Sequence, residues 1–539
     1  MPHHHEVNGP LGIANRLIRA SRRRVMARGP GQPRPTEAGN PPLPPGHDPD
    51  QPLTTLDATI TRTTPDRYSC LVWAPGEPHL VRGELGGTPS EERVPARRSL
   101  LYFAQHTDVH LCDAQSPARL EPGDRFAWAN PGADGGHRPQ ETCTTHVFDQ
   151  MVQATNAVKV SPVTGAELAF CIQTGDNTDT GTASEMRWWV DVLAGREVTP
   201  NTGVPGRYEG IQRADVGWAW HPDHPAKDHY GRVGFPELPG FLDAAVQAFQ
   251  PVGLDVPWLA VMGNHDSVFQ GSFGPMPGLR FDKMGDLLVG ASRKVTGVAG
   301  LVRALAHVTV RGTDPARWDQ GRRGPGTIRV TADPAARRRL DRREYVQALL
   351  DDRDGPGPAG HGFTPANAED GTAWWSRPHG DRIQLIGLDT CNHTRGSEGS
   401  LSEAHWQWLD AELRRHHTRW LDGQGRWQEG EGPDRLCILF SHHNSSSMTS
   451  TTSDDHFPGH RYQGPELLAL LHRFPNVVAW VNGHSHEHSI DAHPRPTEMA
   501  GPGAGAGFWE INTASCIDFG QQSRTVELVD NADGTLSFF

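Results

Sequence analysis

Five apolar runs, each ending abruptly in Asp, Asn or His, constrain the fold of this chain more than any other feature. They are "SLLYFAQHTDVHLC", "AELAFCIQTGDNTD", "VPWLAVMGNHD", "LCILFSHHN" and "NVVAWVNGHSHEH". Apolar stretches of about four to eight residues are typical of strands buried on both faces. Open α/β sheets carry their functional groups beyond the C-terminal ends of such strands, and each run delivers its polar residues there. Helical patterns lie between them: "TASEMRWWVDVL" follows the second run, "LPGFLDAAVQAF" precedes the third, and "LSEAHWQWLDAELRRHH" follows a further strand, "IQLIGLDT". Strands alternating with helices predict an α/β domain.

That domain is expected over residues 99–539. Residues 53–98, with β-like runs such as "RYSCLVWAP", form an N-terminal extension, and residues 1–52, basic and rich in Pro and Gly, read as a disordered tail. From about 295 to 373 the alternation is interrupted by an insertion containing "DPAARRRLDRREYVQALLDD". This stretch is predicted as a helix with Asp333 as N-cap and Pro334 in the first helical position. The last residues, from "FWEIN" onward, read as consecutive strands with Asp533-Gly534 as a hairpin turn. A hydrophobic fraction of only 36%, beside 60 Gly and 45 Pro, predicts long loops around the core.

Charge and cysteines narrow the function. A net charge of −13 argues against general nucleic-acid affinity. Seven scattered cysteines without a C-x-x-C pair fit a reducing compartment, and the cytoplasm is the expected location. Arginines near the N-terminus lack the following apolar stretch of an export signal, and no run of about 18 apolar residues could span a membrane. Cys112 and Trp374-Trp375 read as packing residues, whereas His361 in "GHGF" is either a loop histidine or a substrate contact.

The run ends together supply Asp108, His110, Asp176, Asn264 with His265, His442, His484 and His486. One His-x-His decides nothing, since a metal needs three or more ligands and one turn rarely provides them. This set is sufficient for two metals. On an extended segment Asp108 and His110 point to one face, and His484 and His486 share that geometry. Carboxylate, amide oxygen and imidazole without thiolate suit borderline-to-hard divalent ions.

In order, "DVH" (108–110), "GDNTD" (175–179), "GNHD" (263–266), "SHHN" (441–444) and "GHSH" (483–486) resemble the motif series of the calcineurin-like metallophosphoesterase superfamily. The resemblance runs from about residue 100 to 539. "GRYEGIQ", "GHGF" and "FWEINTASCIDFGQQSR" are further similar to an actinobacterial-type subgroup.

The resemblance implies a four-layer αββα sandwich of two mixed sheets flanked by helices, with long loop insertions. It implies one metal held by Asp108, His110, Asp176 and His486, and a second held by Asp176, Asn264, His442 and His484, with Asp176 bridging. The ions would be two divalent metals, or Fe³⁺ with a divalent partner, drawn from Mn, Fe or Zn. Such a pair, about 3.5 to 4 Å apart, shares a hydroxide ionised near neutral pH and neutralises the phosphoryl oxygens during in-line attack. His265, oriented by Asp179, would act as acid for the leaving oxygen.

Two departures bear on this assignment. Many members have His-x-Pro where this chain has His442-His443-Asn444, so His442 is chosen by alignment to the first histidine. Protein Ser/Thr phosphatases carry an arginine directly after G-D-x-x-D, where this chain has Thr180. The expected activity is hydrolysis of a small-molecule phosphate monoester or diester. The alternatives are a nuclease of the same superfamily and a catalytically silent binding scaffold. Natural substrate, metal identity and oligomeric state stay open at this level.

Overall fold

The computed structural model describes residues 54–62, 71–86, 90–119, 121–126, 136–272, 281–320, 326–394, 396–454, 456–501, 504–518 and 520–539. The tail expected over residues 1–52 lies outside these. The principal strands are β1 (Ala58–Arg62), β2 (Leu71–Pro75), β3 (Arg98–His106), β4 (Phe170–Thr174), β5 (Trp258–Val261), β6 (Trp375–His379), β7 (Ile383–Gly387), β8 (Leu436–Phe440), β9 (Val477–Asn482), β10 (Ser489–Pro494), β11 (Gly507–Asn512), β12 (Arg524–Asp530) and β13 (Leu536–Phe538). The longer helices are α1 (Thr144–Ala157), α2 (Ala183–Ala194), α3 (Val298–Arg311), α4 (Arg342–Asp351), α5 (Glu403–Arg415) and α6 (Gly464–Leu471).

Two mixed sheets dominate this α/β fold. One has the order β13-β12-β3-β4-β5, in which β3, β4 and β5 run parallel, β12 pairs antiparallel with β3, and β13 pairs antiparallel with β12. The other has the order β10-β11-β9-β8-β7-β6, with β7, β8, β9 and β11 parallel between antiparallel edge strands. All five apolar runs therefore become parallel strands, three in one sheet and two in the other.

Side-chain alternation covers the second sheet on both faces. Ile438, Phe440, Ala479, Val481 and Ile511 join a core with β3, β4 and β5, where the rings of Phe103 and Phe440 meet edge to face at 5.7 Å. The intervening Cys437, Leu439, Trp480 and Phe508 pack instead against Leu409 and Leu413 of α5 and Leu467, Leu470 and Leu471 of α6. This two-sided burial is why the runs read as continuous rather than alternating. Against the first sheet pack Phe148 and Val152 of α1, and Trp188, Trp189 and Leu193 of α2.

Local signals account for the helix ends. α2 begins at a capping box between Thr182 and Glu185 and stops at Gly195, φ 67°. α5 begins where the Ser402 hydroxyl accepts from the His405 amide. In "LPGFLDAAVQAF" only one turn, Phe241–Ala245, is helical.

The helix expected from Asp333 is two helices. Asp333 caps a single turn, Pro334–Arg337, and a second capping box, Asp341 with Glu344, starts α4. Between them the chain is pinned to the loop before α2. Thr182 and Arg339 form a β-bridge, and the Ala183 and Leu340 amides donate to Arg338 O and Gly181 O at 2.9 and 2.8 Å. The D-x-x-E signal at 341–344 was present in the sequence, but the tertiary pairing that interrupts the helix had no local signature.

Trp374 and Trp375 are buried. The described cysteines are all free, and Cys70 lies outside the described residues. Among the described residues no helix is long and apolar enough to cross a membrane.

Candidate metal centre

Beyond the C-terminal ends of β3, β4, β5, β8 and β9 the polar residues converge. Asp108 Oδ1 lies 3.1 Å from His486 Nε2, 3.9 Å from His110 Nε2 and 4.0 Å from His442 Nε2. Asp176 Oδ2 is 3.2 Å from His442 Nε2 and 3.8 Å from His110 Nε2. Two pairs of imidazole nitrogens face each other, His110 Nε2 with His486 Nε2 at 3.3 Å and His442 Nε2 with His484 Nδ1 at 3.1 Å. Asn264 donates its carboxamide nitrogen to Gly271 O at 3.0 Å, which leaves its buried Oδ1 without a partner. Asp108 Oδ1 is likewise buried, and His486 Nε2 at 3.1 Å is its near neighbour. An orphaned amide oxygen, buried carboxylates and closely facing imidazole nitrogens are what a bound cation would satisfy. The donor atoms form four overlapping triplets within 4.8 Å, joining Asp108, His110, Asp176, His442, His484 and His486, with His265 and His443 at the margins.

The two histidines of "SHHN" part company. His442 donates Nδ1–H to Thr174 O at 2.9 Å, and its Nε2 faces Asp176. His443 has both ring nitrogens engaged, by the Thr390 hydroxyl at 2.8 Å and Ser397 O at 2.9 Å. His361 is buried, stacked on Trp258 at 3.4 Å, with its ring nitrogens engaged by Asp352 and Trp258 O.

The backbone differs from the extended geometry expected at Asp108-x-His110 and His484-x-His486. Among the described residues nine non-glycines have positive φ, and Asp108, His110, Asp176, His484 and His486 are five of them. Left-handed conformations in non-glycine residues cost about 1–3 kcal/mol each and concentrate at functional sites. The chain turns immediately after β3 and β9, and alternating left-handed residues aim both side chains of each pair into one site. Close approach is part of the same construction: a Cβ on Gly263 would lie 2.1 Å from Asp176 N, so the loops after β4 and β5 cross only because that residue lacks one.

The expected contact between Asp179 and His265 is made by the main chain. His265 Nδ1 donates to Asp179 O at 2.8 Å, whereas the Asp179 carboxylate is 3.9 Å away and is bound by Arg119 at 3.0 Å and Arg138 at 3.4 Å. Sequence reasoning missed these arginines and Asp518. The Asp518 carboxylate accepts from His486 Nδ1 at 2.5 Å and from Arg138 at 2.7 Å, and so orients the His486 ring. Asp518 lies within "FWEINTASCIDFGQQSR", a stretch singled out only by resemblance. Asp266, last of "GNHD", accepts from the amides of Gly263, Asn177 and Thr178, which ties the two crossing loops together.

Neighbouring imidazoles offset the cost of burying two carboxylates side by side. Burial alone would raise the pKa values of Asp108 and Asp176, yet both are held below the usual range by His486 and His442. Burial opposes charge on those histidines too, but Asp176 and Asp108 push His442 up to about 9, and Asp108 and Asp518 push His486 up to about 10. Burial, with the charge of neighbouring groups, lowers His110 to about 4 and His484 to about 3.

At pH 7 the metal-free protein therefore holds protons on His442 and His486, and a metal must expel them to use those nitrogens. Loading at pH 7 is expected to release about two protons per chain. Affinity should rise with pH and level off above about pH 9 to 10, where both histidines have already lost their protons. Calorimetry in buffers of different ionisation enthalpy measures the release; loading with no proton release contradicts this charge assignment.

No family model and no curated protein matches the chain. Among solved structures, a dimetal phosphatase from Danio rerio overlaps with a TM-score of 0.30 at 10% identity, covering 80% of this chain and 96% of its own. PhoD gives 0.29 at 10% identity, with 87% and 71% covered. The calcineurin-like phosphoesterase YfkN from Bacillus subtilis gives 0.24 at 10%, with 81% and 87% covered. Overlaps this loose carry no assignment of activity to this chain.

Proposed function

We propose that this chain is a calcineurin-like metallophosphoesterase that hydrolyses small-molecule phosphate esters, mono- or diesters, with two metal ions held at the ends of five parallel strands. The observation that carries the reading is the convergence of carboxylate, amide and imidazole ligand atoms there, the Asn264 Oδ1 among them unpartnered, with no cysteine among the described clusters. Asp108, His110, Asp176 and His486 would hold one ion, and Asp176, Asn264, His442 and His484 the other, with Mn, Fe or Zn suited to this N/O set. Such ions supply positive charge for the phosphoryl oxygens and make water a nucleophile near neutral pH.

His265 is the acid in this reading. Its Nδ1–H is fixed on Asp179 O, so Nε2 is the nitrogen left to carry a proton to the leaving oxygen. Asp179 contributes through that carbonyl, and its carboxylate anchors Arg119 and Arg138. The architecture in this reading is the four-layer αββα sandwich. The catalytic domain spans 99–539, preceded by the extension at 53–98 and interrupted by the insertion at about 295–373.

The test is hydrolysis of p-nitrophenyl phosphate and bis(p-nitrophenyl) phosphate by metal-stripped protein to which Mn²⁺ is returned. Metal-dependent turnover of at least one ester is expected. Inactivity on both with Mn²⁺, Fe²⁺ and Zn²⁺ overturns the reading in favour of a silent scaffold.

A further inference from the structure

A cavity of about 500 Å³ is lined by Ser267, Arg339, Arg342, Arg343 and His393 among others. Its size is that of a small-molecule pocket. Ser267 closes the one-turn helix Asn264–Ser267 that opens with Asn264 and His265, so the cavity and the metal centre share that turn.

Arg339 is the residue whose bonding is incomplete. Its backbone is fixed by the bridge to Thr182, between the "GDNTD" loop and α2. One guanidinium nitrogen, Nη2, donates to Ser267 O at 2.8 Å. Its Nε is buried with no hydrogen-bond partner. No described carboxylate pairs with it, and burial pulls its pKa down with only Asp286 acting in the other direction. A buried guanidinium donor without an acceptor is costly unless a ligand completes it.

The other charges in the wall are already engaged. Arg342 is held by Asp389 at 3.2 Å and Asp454 at 3.3 Å. The Asp341 and Glu344 carboxylates accept the amides of the α4 capping box, and Glu344 also pairs with Arg338. Arg343 has no described carboxylate partner and donates to Ala368 O.

We propose that this cavity receives a second oxyanion of the substrate, carried on the leaving-group side of the scissile ester, with Arg339 as its principal ligand and Arg343 beside it. The inference rests on the phosphoesterase reading and narrows it to esters bearing a carboxylate or a further phosphate. Arg339 suits this role chemically because its planar guanidinium offers further N–H donors while Nη2 stays on Ser267 O. It suits it positionally because it is tied to both the "GDNTD" and "GNHD" loops. An anion docked there would hold the leaving group beside His265.

The test compares kcat/KM for 4-carboxyphenyl phosphate and hydroquinone bisphosphate with that for phenyl phosphate, in wild type and in Arg339→Gln. The wild type should prefer at least one of the doubly anionic esters. Arg339→Gln should shrink that preference by ~10- to 100-fold, the value of a hydrogen bond to a charged group. Arg343→Gln, an exposed change that leaves the core untouched, should shrink it less, in the same direction, and keeps the test decisive if the Arg339 variant does not fold. No wild-type preference, or a ratio unmoved by both variants, overturns the proposal.

A second arm separates its failure from that of the hydrolase reading. Metal-stripped full-length protein is titrated calorimetrically with 4-phosphonobenzoate and with phenylphosphonate. Tighter binding of the former, weakened by Arg339→Gln or Arg343→Gln, supports the oxyanion site even if no ester is hydrolysed. Equal binding of the two probes, or no binding of either, overturns it.

Discussion

Asp176→Asn is expected to abolish metal retention and hydrolysis together. The Asp176 carboxylate reaches His442 and His110 through Oδ2 and accepts the His265 amide at 2.8 Å through Oδ1, so it stands between both groups of donors. Asparagine keeps the size but loses the charge, and its nitrogen cannot coordinate as a carboxylate oxygen does. It also tolerates positive φ better than most residues, and Asp176 sits at φ 49°, so the loop should keep its shape. The loss is therefore assignable to chemistry rather than to misfolding. A decrease of at least ~10³-fold in kcat/KM is expected, on the scale of removing a principal member of a catalytic unit. Elemental analysis and kinetics on the same sample check this, with a melting curve as the folding control. Two metals retained per chain would show that Asp176 does not bridge them.

The second large effect is selective. His265→Gln should keep both metals and lose activity according to the leaving group. The ring is held by its Nδ1 bond to Asp179 O and lies edge to face with His110 at 4.4 Å. Its slot depends on Gly271, where a Cβ would come within 2.4 Å of Nε2. The backbone bond from residue 265 to Asp176 is unaffected by the substitution. General acid help is typically worth ~10² to 10⁴-fold and matters most for a poor leaving group. Alkyl esters should therefore fall by about that factor, while p-nitrophenyl esters, whose leaving group departs unprotonated, fall far less. Equal losses with metals intact would assign His265 to positioning the phosphoryl group or the nucleophile. His443 and His361 could not then replace it as acid, because both nitrogens of each are already bonded.

Much of this was legible in the residues because each strand announces itself locally. An apolar run ending in Asp, Asn or His carries strand, direction and site in one segment, and the parallel pairing of β3 to β5 and β7 to β9 follows the expected alternation. Features created by distant partners were not legible. Asp518 meets His486 only after β11 and β12 have been laid into different sheets. Arg119 and Arg138 come from the loop between β3 and α1 and take the Asp179 carboxylate, which leaves the carbonyl for His265. The helix expected from Asp333 breaks at Arg338 to Leu340 because that segment pairs with residues 181–183. The left-handed turns at Asp108, His110, His484 and His486 depend on tertiary support that overrides local preference, so a two-residue spacing read as extended was right about the shared face and wrong about the backbone.

Whether the site is a two-metal phosphoesterase centre is decided by titrating metal-stripped protein with Mn²⁺ while following p-nitrophenyl ester hydrolysis and electron paramagnetic resonance together. Activity should rise to a break at about two Mn²⁺ per chain, with a spin-coupled pair signal growing alongside it. A break at one equivalent with an isolated Mn²⁺ signal, or Mn²⁺ binding without hydrolysis, would contradict a two-metal phosphoesterase centre.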